Sequence, residues 1–393
     1  MIKSLRLIFF FSVLIVASCT NKKSNNQINV EEMTKCNSNE LYLLVGTYTL
    51  GEDSDGLFLY KLNIDTKSAD SLLAVKADNP SYFTLSRNED FIYAVGESGD
   101  KSTISAFSFD KSNNSISHIN TVSAEGADPC YIEIDDSGHN LFTANYSSGS
   151  ISVFSVGEQG RLSSANFVVN FEGSGPDKTR QSSSHLHSVR LSPDGVYLFA
   201  TDLGADKIYR FPYLNSVFEG QPAILQTDIR EFNVPVESGP RHFDFHPSGK
   251  YMYLLGEISG QIVVFDYNEG DLIEKQIILS DTLGARGAGD IHVSPNGRFL
   301  YSSNRLKGDG IAVFSIDENT GELTKIGYQD TGKHPRNFVI SPDGSLLLVA
   351  CRDENKIQVY NIDGNTGLLT DTGNDILVNR PVCLKFASVL NNN

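Results

Sequence analysis

The chain has 393 residues, of which 40% are hydrophobic and 20% charged, an ordinary composition for a folded protein with a sizeable core. Its 48 acidic and 32 basic residues give a formal net charge of −16. We therefore expect no nucleic-acid partner, because phosphate backbones bind to basic surfaces. The 33 glycines and the many clusters of Asp, Asn and Ser indicate frequent turns and predict an all-β chain.

The first residues have the pattern of a bacterial export signal. Lys3 and Arg6 precede an apolar run at 7–16, and small residues then lead to Cys19. This order is typical of a secretory signal peptide. The Val-Ala-Ser-Cys ending resembles the lipoprotein cleavage box, which implies that Cys19 becomes the lipidated first residue. The alternative is a soluble secreted protein whose Cys19 is removed with the signal.

The polar residues that follow predict a tether to an extracytoplasmic domain. Residues 20–39 lack hydrophobic periodicity, so we expect them to be flexible. The expected organisation is a lipoprotein signal peptide at 1–19, a tether at 20–39 and a folded domain at 40–390. Thr20, where Asp is absent after the anchoring Cys, implies sorting to the outer membrane of a Gram-negative bacterium. The lipid is expected to be the only contact with the membrane.

Four cysteines follow the signal: Cys36, Cys130, Cys351 and Cys383. None of them has the close spacing of a zinc site. An extracytoplasmic setting permits disulfides, and Cys351 and Cys383, from the same end of the chain, are the expected pair. The alternative is that these two residues are buried free thiols.

A long motif recurs through the rest of the chain. Its copies start at residues 79, 128, 185, 239, 288, 334 and 380, so successive starts are 46 to 57 residues apart. The stretches GPRHFDFHPSGKYMYLLGE and HPRNFVISPDGSLLLVACR show the shared pattern. A nearly constant period of strands is typical of a β-propeller.

Each copy predicts one blade. It opens with an alternating strand such as FDFH, turns at HPSG or SPDG, and continues through an apolar strand such as YMYLL to a third strand such as QIVVFDY, which ends the blade. The turns have a structural reason, because Pro presets φ and Gly accepts a positive φ. The copy that starts at residue 380 lacks its second and third strands, and residues 41–49 and 56–63 supply them.

The predicted fold is therefore an all-β, seven-bladed propeller in a single domain. Its N-terminal strands pair with the C-terminal strand and close the ring, which removes sheet edges that would otherwise promote aggregation. The first strand of each blade lines the central channel of such a ring. Its first residues reach one mouth of that channel.

The residue after the opening Pro, or its equivalent, varies from copy to copy. These residues are Ser81, Cys130, His187, Arg241, Asp290, Arg336 and Val382. The second strands return to the same mouth with Glu97, Asn145, Asp202, Glu257, Arg305 and Arg352. Because buried charges are costly unless they are paired or used, the pattern predicts a functional mouth whose Arg forks bind carboxylate or phosphate. The alternative is that Arg241 and Glu257 pair only as structural support.

Several stretches together resemble one known family: SHLHSV with DLGADKIYRF, GPRHFDFHPSGKYMYLLGE, SPNGRFLYSSNR and HPRNFVISPDG. This is the bacterial lactonase family, which includes propeller-type 6-phosphogluconolactonases and fungal muconate-lactonizing enzymes. The resemblance extends over about residues 41–389. It implies a seven-bladed propeller that opens or closes lactones without a metal or other cofactor. The implied catalytic residues are His187, Arg241, Glu257 and Arg305. The family usually carries Glu-Ile where this chain has Asp290 and Ile291.

The expected reaction is hydrolysis of a small anionic lactone that is sugar-derived or carboxylated. Glu257 or His187 takes the proton of the attacking water, and the other residue protonates the leaving oxygen. Arg241 and Arg305 stabilise the oxyanion or hold the anionic group of the substrate. The residues expected to contact the substrate are His185, Asp202, Asp290 and Arg336. The chain has no G-x-S-x-G elbow, so a covalent acyl-enzyme is not expected.

Metal binding is an alternative for His185 and His187, which share one face of a strand. With Asp202 and Glu257 they have the chemistry of metal ligands. No third His belongs to this motif and the resembling family needs no metal, so no metal site is expected. The histidines interpreted as scaffold are His139, His242, His246 and His292.

Two other functions stay open. One is a non-catalytic propeller that binds a ligand or protein at the same mouth, and the other is a muconate-type lactonizing lyase. A monomer or weak dimer is expected. The connection before His185 contains Arg180 and Gln181, which we expect at the rim of the mouth.

Overall fold

The structure is a computed structural model that describes residues 39–49, 54–214 and 223–389. The signal peptide with Cys19, and residues 20–38 of the tether with Cys36, lie outside these ranges. Of the described residues, none belong to a helix long and apolar enough to cross a bilayer. Helix is confined there to three single-turn 3-10 segments, at Gly99–Lys101, Glu158–Gly160 and Arg352–Glu354.

The described strands form seven separate antiparallel sheets, one for each blade. The chain begins with β1 (Glu40–Thr47), β2 (Gly56–Asn63) and β3 (Ala69–Lys76). Blade 1 contains β4 (Phe83–Leu85), β5 (Phe91–Gly96), β6 (Thr103–Asp110) and β7 (Ser115–Ser123). Blade 2 contains β8 (Pro129–Ile134), β9 (Asn140–Asn145), β10 (Ser150–Val156) and β11 (Leu162–Asn170). Blade 3 contains β12 (Leu186–Leu191), β13 (Tyr197–Asp202), β14 (Lys207–Pro212) and β15 (Arg230–Asn233).

The second half of the chain repeats this arrangement. Blade 4 contains β16 (Pro240–Phe245), β17 (Tyr251–Gly256), β18 (Gln261–Asn268) and β19 (Asp271–Leu279). Blade 5 contains β20 (Ala288–Val293), β21 (Phe299–Asn304), β22 (Gly310–Ile316) and β23 (Leu323–Asp330). Blade 6 contains β24 (Pro335–Ile340), β25 (Leu346–Cys351), β26 (Lys356–Ile362), β27 (Leu369–Asp371) and β28 (Ile376–Leu377). The last strand is β29 (Pro381–Ser388).

Blade 7 is made from both ends of the described chain. Its strands follow the order β29-β1-β2-β3. Leu43 lies opposite Phe386 in this sheet, and Val45 lies opposite Leu384. The predicted seven-bladed propeller, closed by pairing of the terminal strands, is confirmed.

Six blades have one strand more than the sequence predicted, and blade 6 has two more, because β28 also pairs with β26. The recognised pattern covers the three inner strands, and a fourth strand lies at the outer edge of every sheet. In blade 4 the outer strand β19 is mostly exposed or half-buried, whereas β17 is buried throughout. An outer strand packs less completely, so its hydrophobic pattern is too weak to distinguish it from a loop.

The hydrophobic core lies between neighbouring blades. One buried cluster, shared by blades 4 and 5, contains Tyr253, Ile262, Val264, Leu300 and Phe314. Successive first strands, from β4 through β29, contact one another around the channel. The ring continues from the last blade to the first, where the Lys385 ammonium lies 5.0 Å from the ring centroid of Tyr82.

Three aromatic rings pack together inside the central channel. Tyr82 and Tyr131 stack with their centroids 4.3 Å apart, and His242 packs edge-on against both, at 6.0 and 5.2 Å. All three residues are buried. Each directly follows one of the positions that the sequence assigned to the mouth. The rings therefore form the floor of that mouth.

The three described cysteines, Cys130, Cys351 and Cys383, are buried and free. Burial raises the pKa of Cys351 to about 12 and that of Cys383 to about 11. The expected disulfide between Cys351 and Cys383 is therefore wrong, and the free-thiol alternative is confirmed. The two thiols lie in different blades, a separation that proximity in sequence does not reveal.

In four blades an aromatic ring packs against a glycine in the next blade. The pairs are Phe91 with Gly160, Tyr197 with Gly270, Tyr251 with Gly321, and Phe299 with Gly367. Each glycine lies between the third and fourth strands with a φ of 72° to 89°, a region that favours Gly. A Cβ on Gly321 would lie 2.5 Å from the ring of Tyr251. These glycines therefore set how closely neighbouring blades approach.

We expect Gly321→Ala to lower the free energy of unfolding by about 1–3 kcal/mol more than Gly195→Ala, measured by urea unfolding. The two glycines have similar φ values, 72° and 67°, so both variants carry a similar backbone strain. No atom lies within 4 Å of a Cβ on Gly195, so only Gly321→Ala forces an aromatic ring to move. Equal losses in the two variants would show that the ring contact does not limit blade spacing.

Candidate active site

A β-bulge re-aims one side chain of nearly every first strand. The pairing of first and second strands skips Cys130, His187, Arg241, Arg336 and Val382, and in blade 5 it skips Gly289 together with Asp290. A skipped residue leaves the ladder and turns its side chain in a new direction. The positions that the sequence placed at the mouth are therefore the bulge positions of six blades.

A residue with positive φ, followed by proline, introduces five of the first strands. The five pairs are Asn79-Pro80, Asp128-Pro129, Gly239-Pro240, His334-Pro335 and Arg380-Pro381, and the first residue of each has a φ of 43° to 61°. Pro lacks an N–H and so cannot donate to the ladder, which suits the start of a strand. Four of these pairs, in blades 2, 4, 6 and 7, directly precede a bulge position, so the X-Pro pair is a sequence signal for those bulges.

Glu257 lies at the centre of the site. Its Oε2 accepts a hydrogen bond from Arg241 Nε at 2.8 Å and lies 3.3 Å from Arg305 Nη2. Its Oε1 accepts from Arg180 Nη2 at 2.6 Å. Burial alone would raise the pKa of Glu257, but nearby charges, foremost Arg305 and Arg241, lower it below the ordinary 4.5. The carboxylate is therefore ionised at neutral pH.

Arg241 is 2% exposed and is held from three sides. Besides its bond to Glu257, its Nη1 donates to the carbonyl of Gly289 and faces Nε2 of His242 at 3.2 Å. Its Nη2 has no hydrogen-bond acceptor in the described part of the chain. Arg241 and Glu257 thus form the ion pair that the alternative of structural support proposed. The pair nevertheless leaves one guanidinium nitrogen of Arg241 available to a ligand.

Arg305 is anchored by the backbone of blade 5. Its Nε donates to the carbonyl of Gly287 at 2.7 Å, and its Nη2 donates to that of Ala288 at 2.9 Å. Burial lowers the pKa of Arg305 to about 9 although Glu257 raises it, so the side chain is cationic at neutral pH. The wide bulge of blade 5 supplies backbone carbonyls to both Arg305 and Arg241.

His187 lies beside the carboxylate. Its Nε2 is 3.8 Å from Glu257 Oε2, and its Nδ1 is 3.6 Å from Cys130 Sγ. Burial, followed by the charge of Arg241, holds the pKa of His187 well below 6.5. The site thus pairs a neutral imidazole with an ionised carboxylate. The structure brings together all four residues that the sequence named as catalytic, and their roles in a reaction stay predictions.

The backbone shows which residues end the second strands at the mouth. The amide of Glu257 donates to the carbonyl of Gly239, two residues before the bulge. The amides that make the equivalent bond in the other blades belong to Tyr48, Glu97, Tyr146, Leu203, Arg305 and Arg352. The sequence alignment of Asn145 and Asp202 is therefore one residue early. A shift of one residue moves a strand side chain to the opposite face.

This shift gives Asp202 different surroundings from Glu257. Asp202 is fully buried, and its Oδ1 accepts hydrogen bonds from the backbone amides of His185, Gly204 and Ala205. It therefore holds the turn after β13. His185 stacks on Tyr146 with centroids 4.5 Å apart, and its Nδ1 lies 2.9 Å from the Tyr146 carbonyl oxygen. Substrate contact by Asp202 and His185 stays a prediction.

The metal alternative gains no geometric support from these residues. His185 faces Tyr146, whereas His187 faces Cys130 and Glu257. Over the described ranges, no group of three or more His, Cys, Asp and Glu side chains is arranged to hold a metal ion.

Arg336 and Asp290 are the other two residues expected to contact substrate. They differ in burial and in their hydrogen bonds. Asp290 is 1% exposed and bonded to side chains behind Arg241. Arg336 is half-buried, and its guanidinium carbon lies 5.5 Å from the ring centroid of Tyr48. Within the described ranges Arg336 makes no hydrogen bond or ion pair. An unpaired guanidinium at the mouth is suited to bind an anion.

The sequence did not identify Tyr48 as a residue of the mouth, and it placed Arg180 only at the rim. Tyr48 ends the second strand of blade 7, and its hydroxyl donates to Glu97 at 3.2 Å. Extending the strand alignment to the N-terminal strands would have found it. Arg180 completes the set of cations around Glu257 from a connection whose turn is held by Asp177. That connection has no counterpart in the other blades, so the repeat carries no signal for it.

Comparison with known proteins gives a consistent result. A family model described as a lactonase with a seven-bladed β-propeller matches residues 42–386. The 6-phosphogluconolactonase of Formosa agariphila is 36% identical over 346 residues, which cover 86% of this chain and 97% of that protein. The solved periplasmic gluconolactonase of Pseudomonas aeruginosa is 32% identical with a TM-score of 0.84, covering 89% of this chain and 100% of that one. A Bacteroides fragilis structure, described as a candidate 6-phosphogluconolactonase, is 48% identical with a TM-score of 0.86, covering 89% and 98%.

We expect Glu257→Gln to lower the free energy of unfolding at pH 7 by about 3–5 kcal/mol, because the arginines lose their shared anion. Since the folded pKa of Glu257 is lowered, its contribution is complete above the ordinary pKa of 4.5 and is lost as the pH falls towards the folded pKa. The difference between wild type and variant should therefore shrink in urea unfolding at about pH 3.

Glu97→Gln is the matched control for this measurement. Glu97 occupies the equivalent position in blade 1, and within the described ranges it accepts from Tyr48 without forming an ion pair. We expect its loss to change stability by less than about 1 kcal/mol. An effect of Glu257→Gln that stays constant down to about pH 3 would contradict the ionised, cation-bound carboxylate.

Proposed function

This chain belongs to the lactonase family of seven-bladed β-propellers, and we propose that it hydrolyses a sugar lactone of the gluconolactone type at the mouth around Glu257. Its family and its relatives make it a lactonase, a hydrolase of cyclic esters. One observation supports this site above all others. A carboxylate is kept ionised by Arg180, Arg241 and Arg305 beside a neutral imidazole, at the mouth of an otherwise acidic protein.

The guanidinium groups stabilise the charge that develops during the reaction. Attack of water on the lactone carbonyl moves an electron pair onto the carbonyl oxygen. Arg241 directs its Nη2 to that oxygen, and because Glu257 and Gly289 already fix Arg241, no reorganisation accompanies the new charge. A fixed donor of this kind contributes about 3–4 kcal/mol in acyl-transfer sites.

Glu257 and His187 handle the protons. The pKa values of Glu257 and His187 are both lowered, so neither group is a strong base by itself. Glu257 orients the attacking water, and its negative charge stabilises the imidazolium that forms when His187 takes a proton. His187, with Nε2 3.8 Å from Glu257, takes the proton of that water and returns it to the ring oxygen as the carbon–oxygen bond breaks. The product is a hydroxy acid, which releases its carboxyl proton to solvent. Lactones are reactive esters, so this modest help suffices, and no metal or cofactor takes part.

Arg336 selects the substrate by its charge. Its guanidinium is held against Tyr48 and has no acceptor among the described residues. A phosphate or carboxylate on the lactone would supply that acceptor in the bidentate geometry that Arg favours. Relatives are named for 6-phosphogluconolactone in two cases and for gluconolactone in another, so the substituent is the open part of the proposal.

The proposed location is extracytoplasmic, with a lipid on Cys19 as the only membrane contact. Cys19 lies outside the described residues, so this rests on the signal pattern of the sequence. The periplasmic description of the Pseudomonas aeruginosa relative agrees with it. We also propose a monomer or weak dimer. Neither a purely binding propeller nor a lactonizing lyase is favoured by any contact described above.

Turnover of gluconolactone and 6-phosphogluconolactone tests the function. We expect the purified protein to accelerate ring opening, and Glu257→Gln to lower kcat/KM by about 10²- to 10⁴-fold. Glu133→Gln is the matched control, because Glu133 lies further along a first strand and lines the cavity at the opposite end of the channel. Its rate should equal that of the wild type. A wild-type protein no faster than spontaneous opening would refute the proposed hydrolysis.

Substrate charge gives a second test. Arg336→Met should raise the KM for 6-phosphogluconolactone at least about tenfold and change the KM for gluconolactone less than about twofold. Only 6-phosphogluconolactone carries a phosphate that Arg336 can bind. Arg352→Met removes the same charge from a mouth position where Asp353 already binds the guanidinium, so it should spare both values. Equal KM changes for the two lactones would show that Arg336 does not bind the anionic substituent.

A further inference from the structure

His242 and Asp290 form a buried pair directly behind Arg241. They are 4% and 1% exposed, and Nδ1 of His242 lies 2.7 Å from Oδ1 of Asp290. An ionised carboxylate only accepts hydrogen bonds, so Nδ1 carries the proton. Burial lowers the pKa of His242 to about 3, so the ring is neutral at working pH. Its Nε2 therefore has a free lone pair.

That lone pair faces Arg241. The distance from Nε2 to Arg241 Nη1 is 3.2 Å, and Nη1 also donates to the carbonyl of Gly289. Arg241 Nε is bound to Glu257. With these nitrogens fixed, the planar guanidinium has one orientation, and Nη2 is directed away from its partners. His242 thus completes the set of contacts that aim Arg241.

Asp290 is itself saturated with hydrogen bonds. Its Oδ2 accepts from Nε2 of His292 at 3.0 Å and from the side chain of Asn337. Its Oδ1 accepts from the amide of Ile291 at 3.0 Å as well as from His242. Burial alone would raise the pKa of Asp290, but His292 and His242 hold it well below 3.8. Four donors occupy its acceptor sites, which leaves none for a substrate.

We propose that Asp290 is a positioning residue for lactone hydrolysis, acting through His242 on the guanidinium of Arg241. The proposal rests on the proposed function of the mouth. It gives Asp290 and His242 parts that the sequence did not predict, since Asp290 was expected at the substrate and His242 in the scaffold. The carboxylate fixes the tautomer of His242, the imidazole accepts from Arg241, and Nη2 is thereby held towards the carbonyl oxygen.

Asp290→Asn tests this chain of contacts. Asn has nearly the same shape but a single accepting oxygen, so it cannot serve both His242 and the donors from His292 and Asn337. We expect kcat to fall at least about tenfold, since small misplacement of a reacting group is costly, while KM changes less than about threefold. Asp290→Glu keeps the carboxylate and should restore kcat to within about threefold of the wild type.

Asp135→Asn is the matched control. Asp135 is also 1% exposed, and it accepts from the amide of His139 and from the side chains of Asn140 and Tyr213 in a turn of blade 2. The Asp135→Asn variant should therefore lose about as much stability as Asp290→Asn and keep the kcat of the wild type. The positioning role is overturned if Asp290→Asn has the kcat of Asp135→Asn, or if Asp290→Glu is as slow as Asp290→Asn.

Nitrogen-15 NMR of histidine-labelled protein gives a readout that needs no activity. His242 should carry its proton on Nδ1 in the wild type and shift towards Nε2 in Asp290→Asn. An unchanged tautomer would overturn the proposal even if kcat fell. If the wild type opens neither lactone, the proposed function fails, while the tautomer still decides whether Asp290 controls His242.

Discussion

Several guanidinium groups can be buried at one end of this channel because they share a single ionised carboxylate. Arg241 and Arg305 are nearly inaccessible, and each would be costly there without an acceptor for its hydrogens. Glu257 balances part of their charge, and the carbonyls of Gly287, Ala288 and Gly289 take further hydrogens. The wide bulge of blade 5 frees carbonyls from the sheet at that point. The irregular backbone and the charged site are therefore one feature of the fold.

The His, Arg and Asp side chains at the bulge positions come from one side of the ring. Blades 3 to 6 place His187, Arg241, Asp290 and Arg336 at the bulge positions. Blades 1, 2 and 7 have Ser81, Cys130 and Val382 at the equivalent positions, all buried and uncharged. A substrate bound as proposed by His187, Arg241 and Arg336 would therefore lie off the axis of the channel, towards blades 3 to 6. Tyr48 and Glu97 lie on the other side, where the Tyr48 hydroxyl donates to the Glu97 carboxylate.

The fold could be predicted from the sequence because the period of the motif is the size of a blade. The inner strands and the bulge positions follow from that period, and so do Glu257 and the three residues His187, Arg241 and Arg305 beside it. The outer strands could not be recognised, since strands such as β19 are half exposed. Asp202 and Asp290 were predicted to contact the substrate from the alignment alone. An alignment gives the position of a residue along a strand but does not show which neighbouring groups its side chain binds. Arg180 comes from a connection outside the repeat, and only coordinates reveal its contact with Glu257.

The pairing of β29 with β1 has a consequence for the order of folding. Leu43 is among the first described residues to be synthesised, and its partner Phe386 is among the last. Blade 7 therefore cannot form while the chain is still emerging from the ribosome, and the ring stays open until synthesis ends. Contacts between such distant parts of a chain form slowly. Until the two ends of the chain meet, β1 lacks its neighbour β29, so the ring keeps an unpaired sheet edge that can bind another chain.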